Sequence, residues 1–207
     1  MEADWEVEIG PDTPIIDALW PGFIDLRRTP ERIGEIDETR KFPALAEILL
    51  HLNRSEFDLG LSVDSMLDDV SSESQVWSSK CDLWTQDRSS DSWDPDEMDA
   101  TPTESVVALA CYIDLLPRTP SLFAGLAETE SWARATVGRL REIVCRCCRA
   151  DLVIRRAFKE DGEVLGITAY TTACGADSAA AEEALSSALR ALENAIGRAT
   201  RNAVQQL

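Results

Sequence analysis

Residues 152–174 read LVIRRAFKEDGEVLGITAYTTAC. Two runs rich in apolar and β-branched residues, Leu152 to Phe158 and Val164 to Cys174, flank the polar connection Lys159-Glu160-Asp161-Gly162-Glu163. Asp161-Gly162 is a strong hairpin signal, because aspartate and glycine tolerate the left-handed backbone that tight hairpin turns require. A hairpin makes at least part of any sheet antiparallel.

Downstream, Gly175-Ala176-Asp177-Ser178 leads into a pattern that predicts a helix over about 178–205. Leu185, Leu189, Leu192, Ile196, Ala199 and Ala203 alternate in steps of 4 and 3, the spacing of a coiled-coil seam or of a helix packed across a sheet. Asp177 suits the N-cap of that helix better than an anion site. Upstream, the sequence predicts a helix from Ser131 to Arg149, with Ala133, Val137, Leu140, Val144 and Cys148 along one face. Val106 to Leu116 is apolar nearly all round and reads as a buried helix ended by Pro117. Thr101-Pro102 opens it, with Glu104 completing a capping box. Thr13-Pro14, Thr29-Pro30 and Thr119-Pro120 repeat the same start signal, so short helices are expected at Pro14 to Leu19 and after Thr29 and Thr119.

Near the start, Trp5-Glu6-Val7-Glu8-Ile9 alternates apolar and acidic residues and reads as a half-buried strand. Phe42 to Asn53 carries Leu45, Ile48, Leu49 and Leu52 at helical spacing. Phe57 to Asp64 alternates as a strand, and Val76 to Leu83 is a weaker strand candidate. Residues 85–103 are polar and acidic, with Asp87, Asp91, Asp94, Asp96, Glu97 and Asp99 against Arg88 alone, and are expected to form a mobile loop. Separate groups of strands with helices between and after them make an α+β fold. The expectation is one domain over 1–207: a partly antiparallel sheet, including the 152–158/164–174 hairpin, packed against several helices with a long C-terminal helix.

Charge is distributed unevenly. Residues 1–104 carry the whole net charge of −18, and 105–207 are balanced. Within the balanced half, 131–159 is locally +6: Arg134, Arg139, Arg141, Arg146, Arg149, Arg155, Arg156 and Lys159 face only Glu142 and Asp151. Such asymmetry speaks to partners and solubility rather than fold. The net charge disfavours direct nucleic-acid binding and anionic membranes, both of which select Lys and Arg. No apolar run reaches the roughly 18–20 residues of a membrane span. The acidic start, Met1 to Glu6, lacks the apolar core of a secretory signal, which points to the cytoplasm. The six cysteines (Cys81, Cys111, Cys145, Cys147, Cys148 and Cys174) then read as reduced, partly buried thiols.

No motif carries a reaction by itself, and no cofactor is expected. The loop carboxylates lack the glycine and terminal glutamate of a calcium-binding loop. Cys145 and Cys148 form half of a zinc pattern, and no second pair completes it. His51 is the only histidine, placed like a surface helix residue four positions after Glu47. Asp114 is the most interesting single carboxylate: a buried aspartate needs a partner, here an arginine of 131–156, or else acts as an acid in a cleft. Trp84 and Trp93 bracket the acidic loop, where burial is hard to arrange, and exposed tryptophan beside charge suits a protein-binding surface.

These observations rank a cytoplasmic acidic binding protein first: an inhibitor, adaptor or regulatory subunit that engages a basic protein partner through its acidic N-terminal half. Trp84, Asp91, Trp93, Asp94, Asp96, Glu97 and Asp99 are its candidate contact residues. The +6 stretch either pairs internally or makes a second contact that would build a homo-oligomer. The alternative is a small hydrolase or metal-dependent enzyme using Asp114 or the loop carboxylates. A mimic of nucleic-acid charge would instead show carboxylates in two rows across a surface.

Overall fold

The computed structural model describes residues 1–17, 19, 24, 26, 29–53, 74–76, 107–116, 123–159 and 162–204. In chain order the elements are β1 (Glu2–Glu8), β2 (Ile16–Asp17), a 3-10 helix (Pro30–Glu35), α1 (Asp37–Lys41), α2 (Pro43–Asn53), β3 (Ser74–Val76), β4 (Val107–Leu115), α3 (Leu126–Arg141), β5 (Cys148–Lys159), β6 (Gly162–Gly175) and α4 (Ser178–Val204). The strands form one mixed sheet in the order β1-β5-β6-β4-β3, and β2 also pairs with β5.

The hairpin is its spine. β5 and β6 pair antiparallel from Cys148↔Ala173 to Lys159↔Gly162, and Gly162 takes the left-handed φ of 116° that the turn needs. β1 runs parallel to β5, from Glu2↔Arg149 to Glu8↔Arg155, so the start of the chain lies beside its later half. β4 pairs antiparallel with β6, and β3 with β4.

Residues paired across neighbouring strands share a face. One face carries Ala150, Leu152 and Ile154 of β5, Ile167, Ala169 and Ala173 of β6, and Ile113 of β4, each buried. These residues belong to one apolar core with Leu45, Leu49 and Leu52 of α2, Trp132, Val137 and Leu140 of α3, and Leu185, Leu189, Leu192 and Ile196 of α4. The seam read along 185–199 is therefore the buried stripe of a 27-residue helix. Asp177 caps that helix, accepting from the Ala180 N–H at 2.8 Å. Gly175 permits the join: a Cβ there would stand 2.3 Å from the Ala181 nitrogen.

The α+β architecture stands, and several element boundaries are corrected. Val106 to Leu116 is not a helix; Val107–Leu115 is strand β4, set between β6 and β3. An aperiodic apolar run fits a buried helix and a central strand equally, and pairing on both sides selects the strand. The helix expected over 131–149 ends at Arg141. Val144 is 94% exposed, and Cys148 already belongs to β5, where alternation of period two takes over. Pro14 to Leu19 is not helical: Ile16–Asp17 pairs with Ala157 and Phe158, and Ile16 packs with Leu116 and Ala157 in a small second apolar cluster. Thr29 precedes a 3-10 helix without giving it a side-chain cap. The strand expected over 57–64, most of that over 76–83, the loop at 85–103, and the Thr101 and Thr119 starts lie outside the described residues.

Candidate functional site

The second face of the sheet is polar. The alternation that turns Ala3, Trp5 and Val7 toward the helices puts Glu2, Asp4, Glu6 and Glu8 on this face, in a row along the edge strand. Carboxylates two residues apart on a strand repeat every 6.6 Å or so. Glu2, Asp4 and Glu6 are exposed and Glu8 is half-buried. Next to this row stand Arg149, Asp151, Val153 and Arg155 of β5, then Thr168 and Tyr170 of β6, then Tyr112 and Asp114 of β4.

Arg155 organises the interior of this face. It is 9% exposed, and its Nε and Nη2 donate to Glu8 Oε2 at 3.2 and 2.8 Å. Its Nη1 donates to Tyr170 Oη at 3.0 Å and to Thr168 Oγ1 at 3.3 Å. Thr168 in turn donates to Asp114 Oδ1 at 2.6 Å. Burial by itself would lower the Arg155 pKa, and its hydrogen bonds to Glu8 and Tyr170 more than offset that, so the group stands above its ordinary value. The chain Glu8–Arg155–Thr168–Asp114 thus links three strands. Asp114, 7% exposed, reaches an arginine of 131–156 through one hydroxyl rather than by direct contact with Arg155.

Over this network the face opens into a cleft of about 470 Å³, lined by residues of β1 and β5 and by Tyr170 of β6. Arg149 Nε donates to Asp151 Oδ2 at 2.8 Å. The buried Oδ1 of Asp151 has no hydrogen-bond partner among the described residues. Both arginines of the cleft are committed to carboxylates of the protein, and Asp4, Glu6 and one oxygen of Asp151 leave it with surplus acceptor capacity. Among the described residues, those lining the cleft include no serine, cysteine or histidine.

Four of the eight basic side chains of 131–159 contact carboxylates of the protein. Arg155 pairs with Glu8, Arg149 with Asp151 and Arg156 with Glu163; Arg141 reaches Asp4 at 3.4 Å and Arg134 lies over the Trp5 ring at 5.6 Å. Four of these five contacts involve β1 or the cleft beside it. Among the described residues the strand beside the carboxylate row of β1 is β5, where Arg149 and Arg155 flank Asp151.

Trp84, Asp91, Trp93, Asp94, Asp96, Glu97 and Asp99 all lie outside the described residues. His51 Nδ1 lies 2.5 Å from Glu193 Oε1 of α4, so it joins two helices rather than decorating one. Among the described residues no group of three or more His, Cys, Asp or Glu side chains is placed to hold a metal ion. No helix among them is long and apolar enough to cross a membrane. Cys145 and Cys148, read from sequence as reduced thiols, are joined in a disulfide; Cys111, Cys147 and Cys174 are outside any disulfide. The residues the sequence reading missed are Glu2, Asp4, Asp151, Arg155 and Tyr170. Half of the signal was visible in the alternation of 5–9, and the other half needed the parallel pairing of β1 with β5. Comparison with protein-family models, with curated proteins and with solved structures finds no match to this chain.

Proposed function

We propose that this chain is an acidic binding protein that receives a basic protein partner on the polar face of its sheet, acting as an inhibitor, adaptor or regulatory subunit in the cytoplasm. The observation that carries the reading is the row of Glu2, Asp4, Glu6 and Glu8 beside a cleft whose arginines are already paired. A row of exposed carboxylates with fixed spacing raises the association rate of a basic partner and selects its register. Arg155 and its partners hold the row rigidly by locking its last member to the sheet interior. The acidic segment with Trp84 and Trp93 belongs to the same reading as a further contact. The enzymatic alternative would rest on Asp114, which is 7% exposed and whose Oδ1 accepts from Thr168.

The reading is tested against the plain effect of a large net charge. A Glu2→Gln/Asp4→Asn/Glu6→Gln variant is compared with Glu31→Gln/Glu47→Gln/Glu183→Gln, which removes the same charge from exposed positions elsewhere. The probe is a fluorescent peptide of alternating lysine and threonine, titrated by anisotropy. The row variant should bind at least about tenfold more weakly than the control variant at low salt, and the difference should shrink as salt screens it. Equal affinity of the two variants would leave only nonspecific attraction and would remove the case for this surface.

A further inference from the structure

We propose that the Cys145–Cys148 disulfide is a reversible thiol–disulfide exchange site, opened by a low-molecular-weight thiol whose thiolate attacks Cys145 Sγ. The bond closes the turn between α3 and β5 within the segment Cys145-Arg146-Cys147-Cys148, with the two Cα atoms 5.9 Å apart. Its sulfurs differ in access. Cys145 is half-buried, whereas Cys148 is 3% exposed at the start of β5. An incoming nucleophile therefore meets Cys145, and Cys148 is the leaving group.

The structure accommodates the product as well as the disulfide. Cys148 Sγ lies 3.3 Å from the Arg146 carbonyl oxygen and 3.7 Å from the Ala184 carbonyl oxygen. A reduced Cys148 thiol has two acceptors for its S–H without any movement of backbone. The turn itself carries the exposed Arg146 between the two cysteines, with the exposed Glu142 three residues before Cys145, and the positive charge at Arg146 draws and stabilises a thiolate. The neighbouring buried thiols do not compete. Burial pushes Cys111 up to about 12, and burial together with the nearby Cys147 pushes Cys174 up to about 12. Cys147 is held in a left-handed conformation (φ 56°), its carbonyl accepting from the Cys174 N–H at 2.9 Å.

The exchange balances without a further oxidant or reductant. The first thiolate forms a bond to Cys145 Sγ as the Cys145–Cys148 bond breaks, and Cys148 leaves with the electron pair and takes a proton from water. A second thiolate then attacks the external sulfur of the mixed disulfide and releases Cys145, which is protonated in turn. The protein disulfide gains two electrons, and two thiols become one small disulfide.

The test is differential alkylation of the folded full-length protein. It is incubated with or without reduced glutathione at pH 8, quenched with N-ethylmaleimide in denaturant and mapped by mass spectrometry. Cys145 and Cys148 should be linked before treatment and both alkylated after it. A Cys148→Ser variant treated with oxidised glutathione should carry glutathione at Cys145. A Cys145→Ser variant should take it up at Cys148 at least about tenfold more slowly, because that sulfur is buried. Alkylation of both cysteines before any reductant, with no linkage after oxidised glutathione, would overturn the site. So would a disulfide that glutathione opens only when the protein is unfolded. Faster labelling at Cys148 than at Cys145 would overturn the direction of attack, and the wild-type reduction rate reads the proposal even if Cys148→Ser does not fold.

Discussion

The two faces of the sheet are built from the same strands and differ in almost every physical respect. On β5, Leu152 and Ile154 enter a core shared with α2, α3 and α4, while Arg149, Asp151 and Arg155, one position out of phase, face the carboxylates of β1. The first face gains stability from removing apolar surface from water. The second must match every buried polar group with a partner merely to avoid a penalty. A protein that needed only to fold would cover this face or make it uniformly solvated. The buried arginine, the row of carboxylates and the unsatisfied Asp151 oxygen on this face are what the proposed binding role rests on.

The largest effects should come from the apolar face. Leu152 is fully buried, and Leu152→Ala should lower the unfolding free energy by about 2–5 kcal/mol in urea denaturation. Asp151→Asn, the neighbouring position on the other face, should stay within about 0.5 kcal/mol, because its side chain is a third exposed. Similar losses at the two positions would erase the division of labour between the faces.

Breaking the polar network should rank second. Arg155→Met removes donors to Glu8, Thr168 and Tyr170 together, and should cost about 1.5–3 kcal/mol. Most of that is the cost of stranding partners rather than the worth of the bonds. Adding Glu8→Gln to Arg155→Met should therefore recover part of the loss, since the unpaired carboxylate is gone. Strict additivity of the two changes, read from a double-mutant cycle, would show that the two side chains act independently.

How much of this was legible beforehand follows from where each signal resides. The hairpin, the stripe along α4 and α2, and the Asp177 cap are local patterns, and each lies where its residues placed it. β4 was misread because an apolar stretch nine residues long has no period to tell helix from strand, and its neighbours β3 and β6 are distant in sequence. The site was half legible for the same reason. Asp114 stood out as a polar residue in an apolar run, but its link to Arg155 depends on β6 placing Thr168 between them. The row on β1 was visible as alternation; its meaning required strand β5, more than 140 residues away.

The smallest effects, and the subtlest test of the comparison, concern two carboxylates outside the polar face's interior. Glu193 sits in the helical layer, where burial raises its pKa despite the opposing pull of His51. Glu163, exposed near the turn of the hairpin, is held below the ordinary carboxylate value by its hydrogen bond to Arg156. The signs are opposite. A raised carboxyl binds its proton more readily in the folded state, so its contribution to stability falls as pH rises from the ordinary carboxylate pKa through its raised folded value. A lowered one contributes above the ordinary pKa and loses that contribution as pH falls through its folded value. Glu193→Gln, which keeps an acceptor for His51, should thus become more stable relative to wild type as pH rises from 4 to 7. Glu163→Gln should become slightly less stable over the same range, by an amount small enough to reflect solvent screening. Urea unfolding curves at intervals across that range read both. If the two variants diverge from wild type in the same direction, charge at these positions is governed by the protein's overall field of −18, not by whether a carboxylate lies in the helical layer or at the exposed rim.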